Sequence, residues 1–164
     1  MEKIFRRLFR QHFGSQPASI LQIEGDGSSR QMYRLIGSDM QTAVAVAGPD
    51  ADENRAFLSF TGSFRSIGLA VPAVHAVDEP SGIYLEEDLG ETTLFDAVVT
   101  ARAAEPSSEF PAVMEPIYER ILEILPRFQV EGGRVADYSV AYPRAAFDRQ
   151  SNTKPPPWPP SSCG

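Results

Sequence analysis

The chain is poor in the residues that build metal and redox chemistry. Cys163 is its one cysteine, and His12 and His75 are its two histidines. One cysteine makes neither a disulfide framework nor a thiolate zinc site. The histidines lie too far apart in sequence for a metal-ligand motif, and the ordinary reading of each is a surface or partly buried side chain. Basic charge is also scarce. Fifteen Lys and Arg stand against 22 Asp and Glu, a net charge of -7, which argues against a general nucleic-acid binder. No apolar run approaches the ~20 residues that span a bilayer. Met1 to Phe13 is broken throughout by Arg and Lys, so it does not read as a secretory signal. The expectation is a cytoplasmic protein with no nucleic-acid or membrane partner.

What is present suffices for a core. The 164 residues are 42% hydrophobic, enough for one domain, or one and a fraction. Glu2 to Phe13 reads as an amphipathic helix, with Ile4, Phe5, Leu8, Phe9, His12 and Phe13 on one face and Gly14 as its stop. A basic amphipathic N-terminus suits a membrane surface or a targeting segment; it equally suits a helix docked on its own domain, which is the expectation here.

The stretch Leu21 to Leu35, LQIEGDGSSRQMYRL, reads as strand, Gly-rich turn, strand. Gly25, Asp26, Gly27, Ser28 and Ser29 accept tight backbone conformations. Such a turn exposes several N–H groups that suit a phosphate, and Arg30 adds a charge-assisted donor. A plain β-hairpin explains the same letters. Neither a dinucleotide fingerprint nor a Walker loop is present, because Arg30 stands where the former needs Gly and G-K-[ST] is missing.

Gln41 to Ala47 alternates Ala and Val as a third strand. Asp50, with Glu53 three residues on, opens a helix to about Ile67, with Ala56, Phe57, Phe60, Phe64 and Ile67 as its buried stripe. By itself, Glu53 in the first turn complements the helix dipole. Val71 to Val77 and Ile83 to Glu87 read as two more strands, joined by the turn Asp78 to Gly82. Seven acids and no bases lie between Asp78 and Asp96, a run that is usually solvated. Thr93 and Asp96 cap a helix to about Arg102. A further helix starts near Pro111 or Pro116 and carries Val113, Ile117, Ile121, Leu122, Ile124, Leu125 and Phe128. Pro126 is expected to kink or end it, and Gly132-Gly133 to stop it. From Asn152 the chain reads NTKPPPWPPSSCG, too rich in proline to build a core. That end suits a proline-binding partner or a frame-shifted reading.

The order of these pieces is that of a kinase small lobe, and three stretches go further. GDGSSRQMYRL, DENRAFLSFTGSFRSIGLAVPAV and GIYLEEDLGETTLFDAV resemble the aminoglycoside phosphotransferase-like family over about residues 1 to 150, and within it the bacterial amino-sugar kinases of cell-wall recycling. The resemblance implies an α+β fold: a kinase-like lobe over 1–90, with a five-stranded antiparallel sheet plus helix, then the first helices of a truncated large lobe over 91–150. The proline-rich tail over 151–164, disordered by its composition, lies beyond the resemblance. It implies ATP as cofactor, with Mg²⁺ in the complete family, and a sugar-like acceptor. Gly25 to Arg30 would cover the phosphates, Glu53 would be the helix acid that pairs with a strand lysine, and Glu86, Glu87 and Leu89 would lie in the hinge that presents backbone groups to the adenine.

Two departures stand out. The third strand, Ala43 to Ala47, has no lysine, which leaves Glu53 without an evident partner and Arg30 or Arg34 as substitute cations. The family's His-x-Asp motif is absent too, since Phe13-Gly14 follow His12 and Ala76-Val77 follow His75. The expectation is therefore a nucleotide-binding portion that is inactive alone. The competing expectation is a non-catalytic nucleotide- or partner-binding module. A third is a fragment whose helices from Thr93 to Val130 expose apolar surface and aggregate.

Overall fold

The computed structural model describes residues 1–24, 29–105 and 110–143. Helix α1 spans Glu2–Phe13. Its apolar residues recur at helical spacing, and Phe5, Leu8 and Phe9 are buried while Lys3, Arg7 and Arg10 stay exposed. Gly14 ends it in the left-handed conformation and donates its N–H to the Arg10 carbonyl at 2.9 Å. The helix is docked on its own sheet.

That sheet has five antiparallel strands, β1 (Pro17–Ile23), β2 (Gln31–Gly37), β3 (Thr42–Ala47), β4 (Val74–Asp78) and β5 (Ile83–Glu87), in the order β1-β2-β3-β5-β4. The expected α+β class and five-stranded antiparallel sheet are both present. Strand β4 starts three residues later than the sequence suggested. Pro72 has no N–H for a ladder, and Val71 donates back to Leu69 at 3.0 Å.

Alternation gives the sheet two faces. One carries Leu35, Ala43, Ala45, Ile83 and Leu85 and packs on Phe5, Leu8 and Phe9 of α1. The other carries Val44, Val46 and Tyr84 and packs on Phe57 and Leu58 of helix α2 (Ala51–Ser66).

Asp50 caps α2, accepting from the N–H groups of Asp52 at 2.9 Å and Glu53 at 3.0 Å. The expected aromatic stripe is only partly covered. The fully buried residues are Asn54, Ala56 and Thr61. Asn54 is buried because its amide donates to the carbonyl of Gly48 at 2.9 Å and more weakly to that of Gly82 at 3.4 Å. It ties the first turn of α2 to the end of β3 and the β4–β5 turn. Gly82, at φ 66°, has no room for a side chain there, since a Cβ would sit 2.5 Å from the Gly48 carbonyl.

Helix α3 (Leu94–Ala104) opens on the Thr93–Asp96 capping box. Helix α4 (Glu115–Arg127) buries none of its residues, and Phe95, Val113 and Leu122 are each more than 60% exposed. The α-helix ends at Arg127, one residue past Pro126, in line with the expected kink or end. The expected stop at Gly132-Gly133 fails, because a π-helical turn over Phe128–Gly132 and one more turn over Gly133–Val135 carry the helical path on. Gly132 serves packing instead, because a Cβ there would meet Phe64 at 3.1 Å and Leu69 at 3.3 Å. The apolar stripe of α4 is therefore present and lacks a cover among the described residues.

Candidate functional site

Arg30 stands just before β2 and reaches across to α2. Its guanidinium lies 3.2 Å from the Glu53 carboxylate and 5.3 Å from the centre of the Phe57 ring, and it donates to the Tyr84 hydroxyl at 3.3 Å. Glu53 and Phe57 are one helical turn apart, so both present to the same neighbour. Phe57 and Tyr84 stack at 5.2 Å. The Arg30 side chain keeps 16% of its surface exposed. The guanidinium is thus an oriented, largely desolvated positive charge. Burial pushes the Tyr84 hydroxyl above its ordinary range, against the pull of Arg30, so the phenol stays neutral.

Glu53 thus has a partner, contrary to the reading from the lysine-free β3. On this face β3 contributes the buried Val44 and Val46 and no cation. The cation comes instead from the neighbouring strand's entry, one residue after Ser29.

Arg34 is committed elsewhere. It forms a two-pronged pair with Asp88, at 2.7 Å and 3.0 Å, and also reaches Glu91 at 2.7 Å and the Gly90 carbonyl at 2.8 Å. The Asp88 hydrogen bond holds the Arg34 guanidinium above its ordinary range, although burial opposes it. Burial works to raise Asp88, and Arg34 with the Gly90 N–H outweighs it and holds that carboxyl low. The linker from β5 to α3 is therefore clamped to β2.

Glu86 is the other buried acid. Cross-strand register aligns Arg34, Val44 and Glu86 in one row on the α2 face. Glu86 is only 9% exposed, and its Oε2 atom is buried without a hydrogen-bond partner. Burial raises its carboxyl to about 7, with Arg30 pulling the other way. Between its unfolded range and pH 7 the folded chain therefore holds more protons than the unfolded one. Stability falls as pH rises through that window. Glu86→Gln is expected to be more stable than the parent by about 1–2 kcal/mol at pH 8, a figure discounted for residual water access. The gain should vanish near pH 5. Melting temperatures of the two chains across pH 5–8 check this, and a gap that is constant with pH would contradict it.

Of the residues anticipated from sequence, Arg30, Glu53 and Glu86 come together around Tyr84. Ser29 is exposed beside Arg30. Gly25, Asp26, Gly27 and Ser28 lie outside the described residues, as does the proline-rich tail. Glu87 sits on the α1 face, where its carboxylate accepts from the Ala73 N–H at 2.9 Å. Leu89 is 71% exposed in the linker. Sequence reading missed Tyr84, Phe57 and Asp88. The first two were legible, because Tyr84 is two residues from Glu86 on a strand and Phe57 four from Glu53 on a helix. The clamp on Asp88 joins residues 54 positions apart and has no local signal.

His12 and His75 stack on each other at 4.1 Å between α1 and β4. Burial, then His12, holds His75 below its ordinary value. A cavity of about 570 Å³ opens between α2 and the β4–β5 turn, walled by Asn54, Arg55, Leu58, Pro80 and Tyr84; Arg30, Glu53 and Glu86 are not in its walls. Among the described residues no group of three His, Cys, Asp or Glu side chains is placed to hold a metal ion, and no helix is long and apolar enough to cross a membrane. No family model matches the chain, and no curated protein matches it.

Proposed function

We propose that this chain is the nucleotide-binding portion of a small-molecule phosphotransferase of the aminoglycoside phosphotransferase-like kind, using ATP and serving a sugar-like acceptor. The observation that carries this reading is the Arg30–Glu53 ion pair at 3.2 Å. It supplies, from the residue just before β2, the acid-held cation that a lysine on the third strand would otherwise provide. Phosphoryl transfer depends chiefly on positioning and charge stabilisation. Arg30 would hold the phosphates, Glu53 and Phe57 fix its direction, and the linker clamped by Arg34 carries the backbone groups for the base.

ATP brings the transferable γ-phosphoryl group, and Mg²⁺ accompanies it in the complete family. The described residues fit the nucleotide through Arg30 and the linker; they offer no site for the metal. Nor does any His-x-Asp motif supply a base for the acceptor hydroxyl. The chain alone is expected to bind nucleotide and not to phosphorylate a sugar.

Calorimetry with ATP, with and without Mg²⁺, tests the reading. Saturable binding with a Kd below the millimolar range is expected, lost in Gly27→Asp, which adds a negative charge three residues before Arg30. A folded chain that takes up no ATP at millimolar concentration contradicts it.

A further inference from the structure

We propose that the cavity between α2 and the β4–β5 turn seats the chain's own proline-rich segment, residues 152–164, with Trp158 as the inserted side chain. The assignment needs no nucleotide and stands apart from the reading above.

The cavity lies where α2 leaves the sheet uncovered. Val77 belongs to the edge strand β4 and points to the same side as Tyr84, its partner across the ladder. Helix α2 packs on Tyr84 yet leaves Val77 41% exposed. Leu58 and Pro80 complete the apolar wall, and Asn54, Arg55 and Glu79 add polar groups to it. A volume of about 570 Å³ falls within the ~300–1,000 Å³ of sites that enclose a compact, mostly apolar group.

The described chain comes back to this place. The Tyr142 hydroxyl donates to the Asp50 carboxylate. Asp50 caps α2, and the next residue, Ala51, lines the cavity. The cavity residues of α2 run no further than Ser59, about 14 Å along the helix. Trp158 follows Pro143 by 15 residues. A flexible chain of that length has a root-mean-square reach of about 20 Å. Such a linker spans the distance and holds Trp158 near the cavity at a roughly millimolar effective concentration, so even a weak contact is populated. The exposed stripe of α4 is the other apolar surface at hand. Its helical path meets α2 at the far end, where Phe128 packs on Phe64 at 5.7 Å.

The segment suits the cavity chemically. Prolines flank Trp158, the chain's only tryptophan, on both sides. They set an extended backbone in advance, so docking loses little conformational entropy. An indole buries roughly 150–250 Å² and gains most in a concave site. Arg55, whose side chain is 65% exposed, brings a cation within the cavity wall for the indole face. Lys154 is the segment's one charged side chain, opposite in sign to the exposed Glu79.

Acrylamide quenching of Trp158 fluorescence in the full chain, at low micromolar concentration, tests this against a synthetic peptide of residues 152–164. The chain is expected to quench at least about threefold less readily than the peptide, as for a largely buried indole. Val77→Lys, at an exposed position, and Leu58→Lys should each return quenching to the peptide's value, with melting curves as the folding control. Leu122→Lys, on α4, should leave it unchanged. Quenching of the folded parent equal to that of the peptide overturns the proposal. So does protection that survives in folded Val77→Lys, or that is lost in Leu122→Lys, which would seat the tryptophan on α4. Protection that fades on dilution also overturns it, in favour of the cavity of a second copy.

Discussion

Arg30→Ala is expected to weaken ATP binding by about 10- to 100-fold, the loss of one or more charge-assisted hydrogen bonds to phosphate. The guanidinium is pre-aimed by Glu53 at 3.2 Å, by the Phe57 face at 5.3 Å and by the Tyr84 hydroxyl at 3.3 Å. The alanine variant removes both the charge and its orientation. Arg30→Lys keeps the charge and loses the planar fork, so it should recover only part of the affinity. Glu53→Gln leaves the cation in place with looser aim and should cost several-fold. The fold should survive each change, because the Glu53 side chain is 38% exposed and water can solvate it once unpaired. Titration of the three variants, with melting curves as the folding control, checks the series. Unchanged affinity in folded Arg30→Ala would remove Arg30 from the site.

The largest expected loss of stability is at Arg34→Ala. The side chains of Arg34 and Asp88 are 14% and 6% exposed. Removing the arginine strands a buried carboxylate and frees the Gly90 carbonyl and Glu91 as well. Breaking one side of such a pair costs about 3–5 kcal/mol, or roughly 10 °C in melting temperature for a chain of this size. The sign with pH follows from the lowered Asp88 carboxyl. A depressed acid adds stability above its unfolded range and loses it as pH falls through its folded value. The gap between parent and Arg34→Ala should thus narrow in acid, where Asp88 is protonated in both. A double variant with Arg34→Met and Asp88→Leu should regain most of the loss at neutral pH. A melting point within about 2 °C of the parent for Arg34→Ala would mean that the clamp contributes no more than a surface pair.

Most of the fold was legible because its signals are local. The α1 stripe, the Ala-Val alternation of β3, the Asp50 cap and the Thr93–Asp96 box each sit within a few residues and recur in the structure. The reading failed where distant residues override local preference. Gly132 is a helix breaker by type, yet it lies within a π-helical turn, where its lack of a side chain lets it pack on Phe64. Asn54 reads as a surface residue of α2, yet the carbonyls of Gly48 and Gly82 draw it inside. The site shows the same division. Glu53 and Arg30 were visible singly, but their pairing depends on how α2 lies across the sheet. The absence of lysine from β3 suggested an acid with no cation, whereas Arg30, just before β2, supplies it.

The exposed stripe on α3 and α4 bears on how the chain is handled. Phe95, Val113 and Leu122 stand open, and apolar surface of this extent promotes association. Binding measurements are therefore best made at low protein concentration.

On the proposed reading, nucleotide binds on the α2 face of the sheet, with its phosphates at Arg30. Amide and arginine side-chain NMR spectra, recorded while ATP is titrated into the labelled chain, test it most directly. Shifts are expected at the Arg30 guanidinium, at Glu53 and along Glu86 to Leu89, with the α1 face around Phe9 and His75 unmoved. Shifts confined to the α1 face, or to the cavity walls at Leu58 and Pro80, would contradict it.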